Sequence, residues 1–565
     1  MLWDRIKKHW SLHPLSAAFV VFLGIFVSIS LIYAYAAGDP RMDDHYFHFK
    51  YAYLLRTEGL NAVNHFDWIY LLSHSDSGSR YAATLFQVSL IPFTYFHDWL
   101  LGLYIADAFY LSAALALIYY VLRKAHVRYP LFFIVALFSS MYFIERLLLG
   151  RAFVLAVGLI FLELYFAVER KYKQLFLVCI FHVLWHQSTY FMPIFFVGVV
   201  EIARYLTEHK MFLRNIASTA LATVVGMAFF PGFPQSLFLW AGNIISLQTT
   251  AQTDVQTGNA QSIGGGEMAS KDFMNYFAEE KMLLLLIVLS SIAVIFIYVT
   301  QKKHGDSFLQ KTDKKQVIWI YALFVSMISM MSATITMSGR VFDFFIPIAF
   351  VLVAFLVTFI GMTEKVTMER SFGTFLKFGI GLYCGILFLN TGINIYALAQ
   401  QYDYSPARQA AQWVQEHSTG RDKVFLQDWG NFPLMFFENS HNVYSTGIEP
   451  MSLKSYDEAL YWKYYNMFRY NYYCDKPGDC GDIVTALKQN IKDASQDKKD
   501  QVEKENSRKI ITSIKNDFDA QFIISGSDVF SETIERNPDL IEDQFHVKSE
   551  KFAGKYMEFT VFKLK

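Results

Sequence analysis

The sequence predicts a polytopic α-helical membrane domain followed by a small extracytoplasmic α/β domain. Three observations predict it. The 565-residue chain is 54% hydrophobic and 17% aromatic, with 54 Phe against only 13 Pro. Its charges are not mixed evenly: long apolar stretches alternate with short charged knots up to residue 400. From residue 401 onward short helix-like and strand-like patterns alternate instead.

A bilayer core of about 30 Å needs about 20 apolar residues per spanning helix. The runs 16–36, 100–122, 282–300, 316–333 and 376–398 meet that length. The runs 130–144, 152–168, 174–185, 190–203, 215–231 and 342–361 are shorter or carry polar interruptions. Together they predict about eleven spans in residues 1–400. The formal net charge of zero is less informative than where the charges lie. The start, "MLWDRIKKHW", carries Arg5, Lys7 and Lys8. With that end cytoplasmic, the inside loops hold about twice as many Lys and Arg as the outside loops. The first apolar run is too long for a removed signal peptide and lacks a small-residue cleavage site. The expectation is an integral protein of the plasma (cytoplasmic) membrane with the C-terminal domain outside.

The first external loop, 37–95, opens with "GDPRMDDHYFHFKYAY". A helix can start near Asp43, with Tyr46, Phe47, Phe49, Tyr51, Tyr53 and Leu54 giving it an aromatic surface expected to lie along the outer leaflet. Adjacent helical residues point about 100° apart, so Asp43 and Asp44 cannot both face one ligand within the helix. One can bind a metal or activate a nucleophile while the other caps the helix; the alternative is that both are caps. His45, His48 and His74 lie close by, where aromatic-face histidines are ordinarily packing residues.

A second long loop, 233–280, contains "SLQTTAQTDVQTGNAQSIGGGEMASKD", too polar to bury a core. Arg340, in "MSGRVFDFFIPIAF", stands at the outer edge of a span. There a guanidinium can grip phosphate bidentately or simply snorkel as an anchor. In the 401–565 domain, "PARQAAQWVQEH" reads as an amphipathic helix, "KVFLQ", "NVYST", "AQFIISG" and "YMEFTVFKL" as strands, and 484–518 as a charged helix. Cys179 and Cys384 sit in apolar runs. Cys474 and Cys480, in "CDKPGDC", can close a small disulfide loop, which persists only in an oxidising compartment. The alternative is two free thiols in a cytoplasmic tail; the charge bias favours the disulfide.

The order of first span, acidic DP…DD motif, "YAYLLRTEGLNAVNHFDWIYLL" and Gly-containing turn resembles the first external loop of GT-C glycosyltransferases, closest in layout to oligosaccharyltransferase catalytic subunits. The resemblance implies that Asp43 or Asp44 binds a divalent metal, Mg²⁺ or Mn²⁺, and touches the acceptor. It implies that Arg340 contacts the phosphate of a lipid-linked donor and that Glu267, in "GGGEMAS", serves the acceptor loop. Asp428-Trp429-Gly430 stands where the family has a Trp-Trp-Asp acceptor motif, with the order changed and one Trp missing. A second departure is "YFIERLLLGRAFVLAV": the family's acidic pair is absent, Gly150 is followed by Arg151, and Glu145 is the nearest acid for a metal. Arg146 and Arg151 suit the lipid phosphate instead. Asp107, Glu163 and His186 lie in or near spans.

The implied activity is inverting transfer of a sugar or oligosaccharide from a polyprenyl-phosphate or -pyrophosphate carrier to a protein, lipid or polysaccharide at the outer face. Membrane lipids are expected partners and nucleic acid is not. Rival readings are a transporter or flippase of lipid-linked glycans, which wants charges inside spans and internal repeats, and a non-enzymatic assembly scaffold.

Overall fold

The computed structural model of the chain describes residues 13–36, 39, 43–59, 66–71, 84–138, 140–230, 233–234, 281–304, 313–336, 341–363, 382, 385–386, 389–397, 400, 403–447, 453–454, 457–476, 478–492, 494–549 and 558–565. Helices dominate. The first half carries α1 (Pro14–Tyr35), α2 (Asp43–Glu58), α3 (Leu85–Leu90), α4 (Trp99–Lys124), α5 (Pro130–Leu137), α6 (Met141–Leu147), α7 (Phe153–Val168), α8 (Tyr172–Trp185), α9 (Met192–Glu208) and α10 (Leu213–Ala228). Next come α11 (Lys281–His304), α12 (Lys314–Thr336) and α13 (Phe342–Thr363).

Among the described residues, five helices are long and apolar enough to cross a membrane: α1, α4, α9 with the turn before it, α12 and α13. On α1, Ala17, Ala18, Ile25, Ile29 and Tyr33 are buried, while Leu15, Phe19, Leu23, Val27 and Leu31 are exposed at four-residue spacing. Both faces are apolar, so one side meets protein and the other suits lipid. The helices pack in a chain of neighbours: α1 on α4, α4 on α7, α7 on α8 and α9, α9 on α12, and α12 on α13. The run 130–144, read from its sequence as a span, is instead the two short helices α5 and α6. At eight and seven residues, neither reaches beyond about 12 Å at about 1.5 Å per residue.

The C-terminal region contains α14 (Ser405–His417), β1 (Lys423–Leu426), α15 (Phe432–Glu438), β2 (Val443–Tyr444), α16 (Glu458–Tyr470), α17 (Gly481–Lys492), α18 (Gln496–Asn516), β3 (Phe522–Ser525), α19 (Asp528–Glu535), β4 (Ile541–Lys548) and β5 (Glu558–Leu564). The sheet order is β2-β1-β3-β5-β4, with β1 parallel to β2 and β3, and β5 antiparallel to β3 and β4. Period-two alternation divides its side chains between two cores. Val424, Leu426, Phe522, Ile524, Phe559 and Val561 join the core that runs on into the membrane helices. Phe425, Ile523, Phe562 and Leu564 face a second core with α16, α18 and α19. A disulfide joins Cys474 to Cys480, and Asn466 holds that loop by donating to the Gly478 carbonyl and accepting from the Cys480 N–H.

The α/β region is docked on the first loop rather than standing apart. Ile69 forms a parallel bridge with Tyr444 at the β2 edge. Tyr444 N donates to Trp68 O at 2.7 Å, and Tyr70 N donates to Tyr444 O at 3.1 Å. Trp68 Nε1 donates to Ser440 O at 2.8 Å, Arg421 grips Asp67 with two nitrogens at 2.5 and 2.8 Å, and Tyr70 Oη donates to Phe518 O. Asp67 and Trp68 thus fasten the loop to the sheet.

Candidate functional site

The site grows from α2. Its aromatic residues Tyr46, Phe47, Phe49 and Tyr51 are all 2% exposed or less. They pack on α15, Tyr46 against Phe437 and Phe47 against Phe432 and Phe436, so the aromatic surface expected along the outer leaflet is protein core. Composition cannot distinguish an aromatic face turned to headgroups from one turned to another helix.

The first turn of α2 meets the segment between α6 and α7. Asp44 Oδ2 lies 2.8 Å from Arg151 Nε, an ion pair with the carboxylate about two-fifths exposed and the guanidinium mostly covered. One residue earlier, Gly150 has φ +58, and a Cβ there would lie 2.0 Å from His45 Nδ1. The fully buried His45 ring fills the space a side chain at 150 would need. On the next turn Gln87 Nε2 stands 3.1 Å from His48 Nδ1, while Gln87 Oε1 accepts from Thr84 N at 2.8 Å. The amide must therefore donate to His48, which leaves the His48 proton on Nε2. Burial pushes His45 down to about 3 and His48 down to about 4; at His48 the Asp44 carboxylate opposes burial and the Arg151 guanidinium reinforces it. Both rings are neutral at pH 7, leaving Asp44 and Arg151 as the charges here.

An aromatic wall adjoins this pair. Phe86 contacts His45, His48, Tyr110 and Trp185. Trp185 Nε1 donates to Ala152 O at 2.8 Å, tying the end of α8 to the Arg151 segment. Arg146, expected at a lipid phosphate, is committed elsewhere: its Nε and Nη2 donate to both Asp343 oxygens at 3.0–3.2 Å, with both side chains buried. Asp343 was not singled out from the sequence, although an acid in the first turn of an apolar span was a legible signal. Asp428 accepts from Gly430 N at 2.9 Å and caps the short turn that carries Trp429, which packs against the second core. That accounts for both without an acceptor.

Arg340 and Glu267 lie outside the described residues, as does the Asp43 side chain. Glu145 is half-buried on α6. Among the described residues no three His, Cys, Asp or Glu side chains converge to hold a metal. A hard divalent cation wants six or more oxygens, and Asp44 already faces a cation. Of the residues expected to hold Mg²⁺ or Mn²⁺, Asp44 is paired with Arg151 and the Asp43 side chain lies outside the described residues, so no chemical step is routed through a metal.

Lys50, on the same helix, is 6% exposed. Its Nζ donates to Phe437 O at 3.1 Å and lies 4.9 Å from the Trp99 ring centre. Burial pushes it from 10.5 down to about 8, against the pull of Glu438 and Glu58. Below pH 8 the lysine is charged both folded and unfolded, so the cost of burying it is present in full. Between about 8 and 10.5 the unfolded state binds more protons, and stability rises with pH. Relative to Lys50→Met, wild type is expected to gain on the order of 3 kcal/mol across that window, at about 1.4 per pH unit. Melting of the detergent-solubilised proteins from pH 7 to 10.5 checks this; a constant difference between them would refute it.

No known protein-family model matches the chain, and no curated protein is significantly similar to it.

Proposed function

We propose that the chain is a polytopic GT-C-type membrane glycosyltransferase, acting at the outer face of the plasma membrane on a polyprenyl-(pyro)phosphate-linked sugar. The observation that carries the reading is the Asp44–Arg151 pair, a carboxylate and a guanidinium held between the first turn of an extramembrane helix and the start of α7. Asp44 takes the proton of the acceptor nucleophile as that atom bonds to the anomeric carbon. The bond from that carbon to the carrier phosphate breaks on the opposite side, inverting the centre. Arg151 orients the carboxylate and faces the charge that develops on the departing phosphate, a role in which Arg340 joins it. Arg146 is bonded to Asp343 and braces α6 against α13, and a phosphate role for it is tested by removing both charges together. A lipid-linked glycan transporter is the second reading, favoured by one specific feature, an ionisable pair fully buried between α7 and α8.

The test is mass spectrometry of membrane lipids and glycoconjugates in cells carrying wild type, the Asp43→Ala/Asp44→Ala double variant, or no copy. The expected result is one polyprenyl-linked glycan accumulating in both defective strains, with loss of one glycoconjugate. A double variant indistinguishable from wild type, beside a defective null strain, would make the acids helix caps and overturn the assignment.

A further inference from the structure

We propose that Glu163, on α7, is a proton-loading site fed from the end of α8 through the hydrogen-bonded chain Ser188–His186–Thr189–His182. The inference does not depend on the glycosyl-transfer reading.

The geometry is continuous. Glu163 Oε1 lies 2.8 Å from His182 Nδ1, and His182 Nε2 lies 3.0 Å from Thr189 Oγ1. Thr189 Oγ1 is 2.9 Å from His186 Nδ1, and His186 Nε2 is 3.1 Å from Ser188 Oγ. Glu163 and His182 are fully buried and Thr189 nearly so, whereas His186 and Ser188 are partly exposed. The chain therefore joins a sealed interior to an open end. Each intermediate member can both give and take a proton, as a relay requires.

Charge bookkeeping gives the chain a direction. With Glu163 ionised, every bond can point inward: Ser188 donates to His186, His186 to Thr189, Thr189 to His182, and His182 to Glu163. A proton arriving at His186 Nε2 lets the Nδ1 proton pass to Thr189, the Thr189 proton to His182 Nε2, and the His182 Nδ1 proton to Glu163 Oε1. One proton has entered, none has crossed the membrane, and a buried charge of −1 has become zero. Hydroxyl and ring protons then point the other way. The Thr189 hydroxyl can rotate to the His186 carbonyl, 3.1 Å away, as it resets.

Burial supplies the driving force. Beyond His182 on Oε1, Glu163 has only the weak Cys179 thiol donor beside it, so an ionised carboxylate here is poorly satisfied away from water. Cations on the neighbouring elements are engaged elsewhere. On α9, Arg204 pairs with Glu201, which also accepts from Asn215 of α10. On α12, Lys315 pairs with Glu169. The acids of α4 and α13 are likewise taken, Asp107 accepting from Tyr33 and Asp343 from Arg146. Beside Glu163 stand the Cys179 thiol of α8 and, next to it, the Thr219 hydroxyl of α10. His182 is thus the one ionisable base bonded to the acid among the described residues. Buried Asp, Glu and His chains of this kind are the usual material of intramembrane proton relays.

Infrared spectroscopy of the full-length protein in lipid nanodiscs tests the proposal. A protonated-carboxyl band that titrates with pH and is missing in Glu163→Gln identifies the loaded site; should that variant not fold, a shift of the band in Glu163→Asp assigns it. Thr189→Val, nearly isosteric but without the hydroxyl, is expected to keep the band while slowing its exchange in D₂O at least about tenfold. Thr189→Ser should restore the wild-type rate. Absence of any Glu163 carboxyl band across the pH range would mean a permanent ion pair with His182 and overturn the loading site. Exchange in Thr189→Val as fast as in wild type would overturn the relay.

Discussion

Arg146→Met is expected to destabilise the protein by about 3–5 kcal/mol, the usual cost of stranding one member of a buried ion pair. The Arg146 guanidinium and the Asp343 carboxylate are less than a tenth exposed and share bonds of 3.0–3.2 Å. Removing the arginine leaves the carboxylate at the start of α13 without the partner that makes its burial tolerable. Removing both charges is different. The double variant Arg146→Met/Asp343→Leu is expected within about 1–4 kcal/mol on the stable side of wild type, or level with it, because two desolvation penalties vanish together. Thermal melting of the solubilised variants separates these cases, and a single variant as stable as wild type would discredit the pairing. The comparison also decides the role of Arg146. If it only braces α6 against α13, the stable double variant keeps activity; if it grips phosphate, the double variant is stable and inactive.

Arg146 illustrates where sequence reading stops. Its partner is 197 residues away, and no periodicity connects an arginine in "IERLLLG" with an acid in "VFDFF". Hydropathy placed the long helices well: the runs 16–36 and 100–122 became Pro14–Tyr35 and Trp99–Lys124. It misread 130–144 because a sliding count of apolar residues does not see that α5 ends at Leu137 and α6 begins only at Met141. The strands β1, β2, β3 and β5 were legible from β-branched and aromatic runs bounded by turns, whereas β4, largely polar and exposed, was not. Their order, with β1 and β3 parallel at the centre and β5 reversed beside them, was not, since strand neighbours are chosen by tertiary packing. The acidic start of α2 was legible as a place where charge matters. That Asp44 faces Arg151 was not, because the two are far apart in sequence and Arg151 sits in a segment between α6 and α7 whose shape depends on Gly150.

Gly150→Ala therefore has consequences out of proportion to one methyl group. A left-handed backbone costs an L-residue about 1–2 kcal/mol. The new Cβ would also stand 2.0 Å from His45 Nδ1 and 2.4 Å from its Cγ, distances no rotamer change at 150 relieves. The ring cannot step aside cheaply, since it is fully buried with Phe86 against it. Overpacking of this kind adds about 1–3 kcal/mol, so the expected loss is about 2–5 kcal/mol. What gives way is the contact between the 148–152 segment and the first turn of α2, the same contact that brings Arg151 to Asp44. A shift of about 1 Å in reacting groups can cost about 100-fold in rate, so activity should fall further than stability alone explains. His45→Ala in the same chain removes the obstructing ring. The two substitutions together should then cost about 1–3 kcal/mol less than the sum of each alone, a coupling confined to residues in contact. Additive losses would place the damage in the backbone at 150 alone, and a Gly150→Ala protein with wild-type melting would mean that the ring does not occupy that space.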